Sequence, residues 1–371
     1  MNFDKGKKVI ICIPHLKQGG SERATSELAN LFVKEQTDVT VLLMYNKEKS
    51  YHLDKNVNLV EPQEKWNRLP KLFYPLFILW FLRRRIRLEN ADSILCMGYK
   101  TFTLIACMGL NIRVVDSIRT SPYHIRFPES AMKNALYYFV RSIVNRRIDG
   151  VVAQTERAAT ELRNKMNSTE VKVIPNTVRK INRFNVEKEN LVLSVGRFER
   201  IKGHKYLIEA FSKANIGGWK LCLLGDGTER MQLEALSGSL GIRDKILFEG
   251  FRSDVDRYMQ KSKIFVLPSL AEGFPNSLVE AMANGMACIS FDCESGPSEI
   301  VTNGKDGILV KVGDVDALAG WIARLANDSE MRDGLGWEAV RAASQYETDR
   351  IVSDYLDFLF KRTTKKRRCM S

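Results

Sequence analysis

Two glutamates at a strand-to-helix junction form the most distinctive candidate site in the sequence. Residues 267–285 read LPSLAEGFPNSLVEAMANG, where an apolar run ends, a glycine-containing loop follows, and an amphipathic segment opens near Pro275 or Asn276. Glu272 lies in the loop, and Glu280 lies one turn into the predicted helix, whose side chains lean back toward its start. The unpaired amides of the first turn can bind a phosphate between the two carboxylates, which can accept hydrogen bonds from hydroxyl groups. This pattern fits a diphosphate joined to a ribose and a hexose.

Other residues of this loop and of a second turn extend the candidate donor site. For Glu280 the alternative is a solvated helix carboxylate, but its apolar neighbours and the adjacent glycine and proline favour a ligand. In FEGFRSDVDRYM, residues 248–259, the amides of Phe251 and Arg252 can meet the edge of a nucleobase, although a simple turn explains them equally well. The donor-binding residues expected here are Arg252, Gly273, Phe274, Pro275, Asn276, Ser277 and Glu280.

Two cations follow another predicted strand. Residues 194–211 read SVGRFERIKGHKYLIEAF, which places Arg197 directly after the strand and Lys202 just before a helix that begins near His204. Cations at this position can neutralise the charge that develops on a leaving diphosphate. Either one alone is a common surface residue, but the pair favours a function. Arg197, Lys202 and Glu272 are therefore the predicted catalytic residues.

A glycine pair near the N-terminus is the third candidate. HLKQGGSERATSELANLF, residues 15–32, places Gly19 and Gly20 before a helix that opens at Ser21 or Glu22. Such glycines let a backbone approach an anion at a helix start, although the pattern is not GxGxxG and a tight turn is the alternative. Because the histidines have no metal-ligand spacing, no metal site is expected. Further candidates for a ligand cleft are Glu22, Ser117, Arg119, His124 and Asn176.

These residues need a scaffold of strands and helices. Short β-branched runs alternate with helix-length amphipathic segments along the chain, which predicts parallel sheets covered by helices. A polar stretch at 176–189 reads as a linker and divides the strands into two sets of six. The strands are predicted at Lys8–Pro14, Asp38–Tyr45, Ser93–Met97, Arg113–Ile118, Gly150–Gln154, Val171–Ile174, Asn190–Gly196, Trp219–Leu224, Lys245–Phe248, Ile264–Pro268, Ala287–Phe291 and Gly307–Val310.

The domain prediction follows from this alternation. Residues 1–180 and residues 181–345 are each expected to form one doubly wound, Rossmann-like α/β domain. Residues 346–371 are expected to form a C-terminal helix followed by a basic tail. Ligands of such sheets bind beyond the carboxyl ends of the strands, which is where the candidate residues lie.

Composition and charge narrow the class of protein. The seven cysteines form no CxxC pair, which favours a reducing cytosol, and the start MNFDKGKKVIICIP lacks a signal-peptide pattern. Residues 72–82, LFYPLFILWFL, are too short to span a bilayer. The net charge of +13 arises in the first half, because residues 1–180 hold 30 Lys and Arg against 17 Asp and Glu, and residues 181–371 hold 27 against 27. A basic surface can serve a nucleic acid, an anionic lipid or a phosphate-bearing substrate.

The combined motifs resemble one known family. EGFPNSLVE resembles the E-x7-E signature of family 4 retaining glycosyltransferases of the two-domain GT-B fold, and GRFERIKG and QGGSER resemble that family's phosphate-binding and glycine-loop motifs. The resemblance covers nearly the whole chain. It implies two Rossmann-like domains facing each other across a cleft, with residues 1–180 on the acceptor side and residues 181–345 binding the nucleotide sugar. It also implies that the helix of residues 346–371 packs back toward the first domain, and that the reaction is metal-independent and needs no cofactor.

The resemblance also implies roles for individual residues. Glu272 would face hydroxyls of the donor sugar, Glu280 would hold the ribose diol, and Arg197 with Lys202 would bind the diphosphate. Gly19 and Gly20 would lie close to the sugar and phosphate. Many relatives carry a histidine in the first-domain cleft, where this chain reads VVDSIRTSPYHIRF, so the group that faces the anomeric carbon is left open between Ser117, Arg119 and His124.

The leading functional hypothesis is a hexosyltransferase of bacterial surface polysaccharides. It would move a hexose or N-acetylhexosamine from a nucleotide diphosphate sugar, with UDP favoured, to a polyprenyl-diphosphate-linked saccharide of an O-antigen, capsule or exopolysaccharide. One alternative is a nucleotide-sugar epimerase of the same plan, which would need additional cleft carboxylates. A nucleic-acid module is the other, but no nucleic-acid motif is present.

A membrane surface is an expected partner. Residues 65–90, KWNRLPKLFYPLFILWFLRRRIRLEN, join aromatic and aliphatic bulk to Arg83, Arg84, Arg85 and Arg87. Such a segment can lie at an interface with its cations on anionic head groups. A core helix with a basic exposed end is the alternative. The expected location is therefore cytoplasmic, peripheral to the inner face of the cytoplasmic membrane.

Overall fold

Two compact units make up the chain. The structure is a computed structural model that describes residues 6–17, 19–68, 70, 72–98, 100–119, 132, 145–165, 169–178, 181–294 and 296–361. Unit 1 comprises Met1–Pro175 and Asp349–Ser371, and unit 2 comprises Asn176–Thr348.

Unit 1 is built on a seven-stranded parallel sheet with the order β3-β2-β1-β4-β5-β6-β7. Six of its strands lie where the sequence predicts them, but the expected six-stranded sheet is wrong by one strand. The additional strand, β3, lies at the sheet edge and pairs with β2. Because β3 has only three residues, it is too short to show a hydrophobic period. The strands are β1 Lys8–Ile13, β2 Asp38–Leu43, β3 Asn58–Val60, β4 Ser93–Cys96, β5 Arg113–Ile118, β6 Gly150–Ala153 and β7 Glu170–Val173.

The helices of unit 1 cover this sheet with apolar sides. The described ones are α1 Gly20–Lys34, α2 Tyr74–Glu89, α3 Lys100–Ala106, α4 Glu156–Lys165 and, from the end of the chain, α12 Thr348–Phe360. A short 3-10 turn spans Glu64–Arg68. Helix α12 joins unit 1 through Phe358, whose carbonyl accepts a hydrogen bond of 3.1 Å from Arg113, and through Asp354, which pairs with Lys172 at 2.7 Å.

Unit 2 is built on a six-stranded parallel sheet with the order β10-β9-β8-β11-β12-β13. All six strands lie within a residue or two of the predicted positions. They are β8 Leu191–Val195, β9 Lys220–Leu224, β10 Ile246–Gly250, β11 Ile264–Leu267, β12 Ala287–Phe291 and β13 Ile308–Val310. Each sheet reverses its winding once, between β1 and β4 in unit 1 and between β8 and β11 in unit 2. The predicted fold class of two doubly wound, Rossmann-like domains is confirmed.

The helices of unit 2 lie between these strands. They are α5 His204–Ala214, α6 Arg230–Ser239, α7 Val255–Lys261, α8 Asn276–Ala283, α9 Pro297–Ile300, α10 Val315–Asn327 and α11 Ser329–Ala343, with 3-10 turns at Arg200–Lys202, Arg243–Lys245 and Ser344–Tyr346. Aspartates cap α10 and α11, because Asp314 and Asp328 accept the amides of Ala317 and Met331 at 2.9 Å. No helix in the described part of the chain combines the length and the apolar character that crossing a bilayer requires.

Candidate functional site

The loop after β8 is held rigidly by the loop after β9. The Phe198 ring is fully buried, and its backbone amide donates to the Asp226 carbonyl at 2.9 Å. Gly225, with a φ of +144°, packs so closely that a Cβ there would collide with the Gly196 carbonyl oxygen. The backbone around Arg197 is therefore fixed, while the Arg197 side chain is 72% exposed and lies 3.5 Å from Glu199.

An ion pair joins the loops at the switch point of unit 2. The Lys202 Nζ lies 2.7 Å from Glu272 Oε1, and their side chains are 24% and 9% exposed. The two residues are 70 positions apart but meet because β8 and β11 are neighbours in the sheet. The Leu270 amide also donates to the Ile201 carbonyl at 2.9 Å. Because an ammonium group has three donors, Lys202 can keep Glu272 and still bind two anionic oxygens.

A buried histidine lies two positions after this lysine. His204 begins α5, and its ring packs edge-on against Phe198 with the centroids 5.0 Å apart. Burial, and secondarily the Lys202 cation, lower the pKa of His204 to about 3. The imidazole is therefore neutral at pH 7 and adds no positive charge beside Lys202.

The start of α8 offers an anion-binding amide. Pro275 precedes the helix, and its carbonyl accepts the amides of Leu278 and Val279, while the Asn276 amide bonds to the Phe274 carbonyl. Of the first four helix amides, only that of Ser277 lacks an acceptor within the described part of the chain. An amide at a helix start attracts anions through its own dipole and that of the helix. A phosphate bound at the Ser277 amide would lie at the end of the loop that contains Glu272.

Neighbouring residues shape this helix start. The side-chain amide of Asn176 donates to Asn276 Oδ1 at 2.7 Å, so a residue from the predicted linker fixes the first residue of α8. Gly296, with a φ of +101°, lies against Pro275, where a Cβ would come within 2.6 Å of the ring. Gly273 and Phe274 lie in the same loop, and Phe274 packs against Tyr346 at 5.6 Å. The predicted donor-binding residues of this loop are thus brought together.

Glu280 is a buried carboxylate, not a solvated one. It is 6% exposed on a helix whose neighbouring residues Leu278, Val279 and Met282 are buried as well. A charged group loses its hydration when it is buried, so a carboxylate here is expected to make strong hydrogen bonds. This burial agrees with a role in holding a polar ligand group and contradicts the simple surface alternative.

The turn after β10 carries an exposed aromatic and a paired arginine. Phe251 is 64% exposed. Arg252 donates to both carboxylate oxygens of Asp254, at 3.0 and 3.2 Å. This hydrogen bonding raises the pKa of Arg252 and lowers that of Asp254. The Arg252 guanidinium is thus oriented toward its own turn, which leaves the backbone of Phe251 and Arg252 as the expected contact for a base.

In unit 1 the glycine loop and a glutamate meet after β1. Gly19 has extended backbone at the start of α1, and a Cβ there would collide with the Glu22 carboxylate. The Gly19 amide lies 3.1 Å from the Tyr51 hydroxyl, and Glu22 Oε1 lies 3.7 Å from His15 Nδ1. The helix begins at Gly20, one residue before the predicted start. A side chain at position 19 would therefore displace the end of the Glu22 side chain.

The residues after β5 lie near the same end of the sheet. Ser117 is buried at the end of β5. Burial lowers the pKa of the Arg119 guanidinium, while Tyr355, Glu27 and Glu22 raise it through their charge and hydrogen bonding. Arg119 therefore faces carboxylates of α1 and the phenol of α12. His124 lies outside the described residues.

Metal ligands are sparse in these loops. Among the residues that the structure describes, no group of three or more His, Cys, Asp or Glu side chains is arranged to hold a metal ion.

Family models match both units. The model for glycosyl transferases group 1 matches residues 177–340, and the model for glycosyltransferase family 4 matches residues 18–179. The two matches adjoin and together extend from residue 18 to residue 340. The chain belongs to the family 4 glycosyltransferases.

Related proteins align with this glycosyltransferase over nearly their full length. One relative is the Campylobacter jejuni enzyme named GalNAc-alpha-(1->4)-GalNAc-alpha-(1->3)-diNAcBac-PP-undecaprenol alpha-1,4-N-acetyl-D-galactosaminyltransferase. It is 26% identical over an alignment that covers 95% of this chain and 98% of the relative. The lipopolysaccharide core biosynthesis glycosyltransferase LpsE of Rhizobium meliloti is also 26% identical, covering 92% and 96%. Anabaena HepE, solved with UDP and glucose, has a TM-score of 0.80 at 20% identity and covers 96% of this chain and all of its own. At this level of identity, the similarity to HepE shows only that the two proteins share the GT-B fold.

Some residues of the glycosyltransferase site were missed by the sequence analysis. His204 is predicted only as a helix start without metal-ligand spacing, and the sequence gives no signal of its burial against Phe198. Tyr51, which holds the glycine loop, lies in a stretch without periodicity. Gly225 and Gly227 pack closely against Phe198, and the two glycines in LLGDGTER are the available sequence signal for this packing.

Proposed function

We propose that the chain transfers a hexose or N-acetylhexosamine, with retention of configuration, from a nucleoside diphosphate sugar to a lipid-linked saccharide in the synthesis of a bacterial surface polysaccharide. The observation that carries the donor half is the Lys202–Glu272 pair at the switch point of unit 2. The loop that holds Glu272 leads directly into α8, whose first turn contains the Ser277 amide. Together they supply one fixed cation, one amide and one carboxylate within reach of a sugar diphosphate.

Each of these groups would act on a different part of the donor. Lys202, with Arg197, would hold the diphosphate and stabilise the negative charge that grows on it as the sugar bond breaks. Glu272 would orient both Lys202 and hydroxyls of the sugar. Glu280 would accept hydrogen bonds from the ribose. Because the cations and the helix amide already neutralise phosphate charge, we propose that the transfer needs no metal ion.

The donor base and the acceptor are proposed from relatives. UDP is the nucleotide bound in the HepE structure, and undecaprenol appears in the name of the Campylobacter enzyme. An acceptor of that kind is anchored in a bilayer, so we place the reaction at the inner face of the cytoplasmic membrane. In unit 1, Gly19, Gly20, Glu22, Ser117 and Arg119 are the proposed residues on the side of the reacting sugar.

A donor panel tests the proposal. The protein is incubated with UDP-, GDP- and dTDP-sugars, each with and without a synthetic polyprenyl-diphosphate glycan, and the products are identified by mass spectrometry and NMR. We expect one UDP-sugar to be consumed, the glycan to gain one α-linked sugar, and EDTA to leave the rate unchanged. Conversion of the donor to its epimer without an acceptor would favour the epimerase. A rate abolished by EDTA and restored by a divalent cation would overturn the metal-independent mechanism.

A further inference from the structure

Helix α2 has an apolar side that is exposed in the described part of unit 1. Its inner side is buried in the unit 1 core through Ile78, Phe81, Leu82 and Ile86. On the opposite side Leu76 is 66% exposed and Trp80 is 53% exposed, and just before the helix Leu72 and Phe73 are 80% and 55% exposed. Leu76 and Trp80 are four positions apart and so share one side of the helix, and Leu72 and Phe73 lie just before its start. We call Leu72, Phe73, Leu76 and Trp80 the apolar patch.

The patch is supported from within. The Phe77 ring stacks on Trp66 with the centroids 4.6 Å apart and lies 6.0 Å from the Trp80 ring. Lys65 lies over Trp66 at 5.6 Å. The exposed Trp80 ring therefore packs against a layer of aromatic side chains formed by Phe77 and Trp66. Single exposed apolar residues are ordinary on protein surfaces, but a contiguous group marks a surface that meets an apolar partner.

The same side of α2 continues into two exposed arginines. Arg84 and Arg87 are exposed, and the Arg84 guanidinium lies 5.4 Å from the Trp80 ring centroid. The helix therefore presents aromatic and aliphatic bulk in its first half and cations in its second half, all toward solvent. This is the arrangement of a helix that lies in a membrane interface, with rings in the acyl boundary and cations at phosphates.

The other arginines of the run are engaged elsewhere. Arg83 donates to the carbonyls of Ala106 and Met108 at 3.0 and 2.8 Å, which ties α2 to the end of α3. Arg85 lies over the Phe81 ring at 5.8 Å. The carboxylate of the helix, Glu89, is paired with Lys8 at 2.8 Å. The four arginines that look equivalent in the sequence thus divide into structural and outward-facing residues.

We propose that the apolar patch together with Arg84 and Arg87 docks this protein onto an anionic phospholipid bilayer. A bilayer is favoured as the occupant because the surface is one side of a helix with cations beside its rings, and because the basic excess of the chain lies in residues 1–180. The proposed lipid-linked acceptor gives this docking a purpose. The docking itself rests on the exposure and charge of α2 and is measured without a sugar donor.

The test is vesicle co-sedimentation of the full chain with phosphatidylglycerol-containing and with purely phosphatidylcholine vesicles. Two exposed cations contribute about 1 kcal/mol each near such a surface, so R84Q/R87Q should weaken binding to the anionic vesicles about 30-fold. L76S/W80S should weaken it about tenfold or more. The matched control is W337S/R341Q, which removes an exposed tryptophan–arginine pair with the same i, i+4 spacing from α11 of unit 2. Its guanidinium lies 4.9 Å from the ring centroid. We expect this control to bind as the parent does.

Several outcomes would overturn the proposal. They are unchanged binding in both α2 variants, an equal loss in the W337S/R341Q control, and a parent dimer in ultracentrifugation that L76S/W80S dissociates, which would make the patch a contact between copies. Circular dichroism verifies folding, and R84Q/R87Q changes only exposed side chains. Transfer to a water-soluble glycan acceptor is measured in parallel. If that activity is absent in the parent while vesicle binding follows the prediction, the proposed function fails and the docking surface stands.

Discussion

Replacement of Lys202 by methionine separates the catalytic use of its charge from its structural use. Methionine keeps an unbranched side chain of similar reach but removes the ammonium group that lies 2.7 Å from Glu272 Oε1. Glu272, with only 9% of its side chain exposed, then loses its cation. Both the stability of unit 2 and the rate of sugar transfer should respond, but by different amounts.

The structure indicates which response is larger. Breaking a fully buried ion pair costs about 3–5 kcal/mol, and an exposed one contributes about 0–1 kcal/mol. Because Lys202 is 24% exposed, we expect the intermediate value of about 1–2 kcal/mol in unfolding free energy. Loss of one fixed group that stabilises transition-state charge costs about 100- to 1000-fold in turnover, or about 2.7–4 kcal/mol. The variant should therefore remain folded at 25 °C while its kcat falls by at least about 100-fold.

The assay is steady-state kinetics with urea unfolding as the companion measurement. We expect kcat to fall far more than the donor KM rises, since the leaving diphosphate carries more charge in the transition state than in the bound donor. Adding Glu272→Gln to Lys202→Met should recover stability, because no buried carboxylate is left unpaired, but should not recover kcat. Arg197→Ala is the comparison. Its side chain is 72% exposed, so it should lower kcat without changing stability. A normal kcat with a raised KM for Lys202→Met would refute the reasoning and leave the lysine a donor-binding residue.

Three further predictions concern unit 2. Glu280→Gln should weaken nucleoside diphosphate binding by about 1.5–3 kcal/mol, or roughly 10- to 150-fold in Kd, through loss of a charged acceptor; unchanged calorimetric binding would show that the ribose site lies elsewhere. Because His204 has a pKa of about 3 instead of 6.5, its contribution to stability is complete above pH 6.5 and is lost as the pH falls toward 3. Urea unfolding at pH 5 should show about 2 kcal/mol less stability than at pH 7, and less of this dependence in His204→Gln; parallel pH profiles would contradict it. Gly225→Ala should lower the free energy of unfolding by more than about 1 kcal/mol, since the φ of Gly225 is +144° and a Cβ would meet the Gly196 carbonyl. Gly217 has open space around it, so Gly217→Ala should be nearly neutral. Equal melting temperatures of the two variants would argue against the close packing at Gly225.

The strands were predictable because each is a short apolar run between polar turns. The local run of apolar residues is enough to recognise β8 or β12. It is not enough for β3, whose three residues are too few to show a period. The start of α8 at Asn276 was also predicted, because Pro275 and Gly285 mark its two ends. Local chemistry thus located both the sheet and the helix that carries Glu280.

Contacts between distant residues could not be predicted in the same way. Lys202 meets Glu272 only because β11 lies beside β8, and Asn176 reaches Asn276 across 100 positions. The sequence also cannot distinguish Arg83, which donates to backbone carbonyls, from the exposed Arg84 next to it. Strand order and the direction of each helix decide these pairings, and both depend on packing of the whole unit.

The division of unit 1 into two stretches of chain affects how the protein is made. Phe358 packs against Gly150, and Tyr355 packs beside Phe32 with the ring centroids 6.1 Å apart, so α12 completes a surface whose other parts are synthesised far earlier. Residues 176–348 must be translated in between. At roughly 5–20 residues per second, the nascent first stretch waits on the order of 10–40 s for its last helix. During that interval the apolar surface under α12 is open to chaperones, and a chain that ends at residue 348 contains all of the second unit but lacks the last helix of the first.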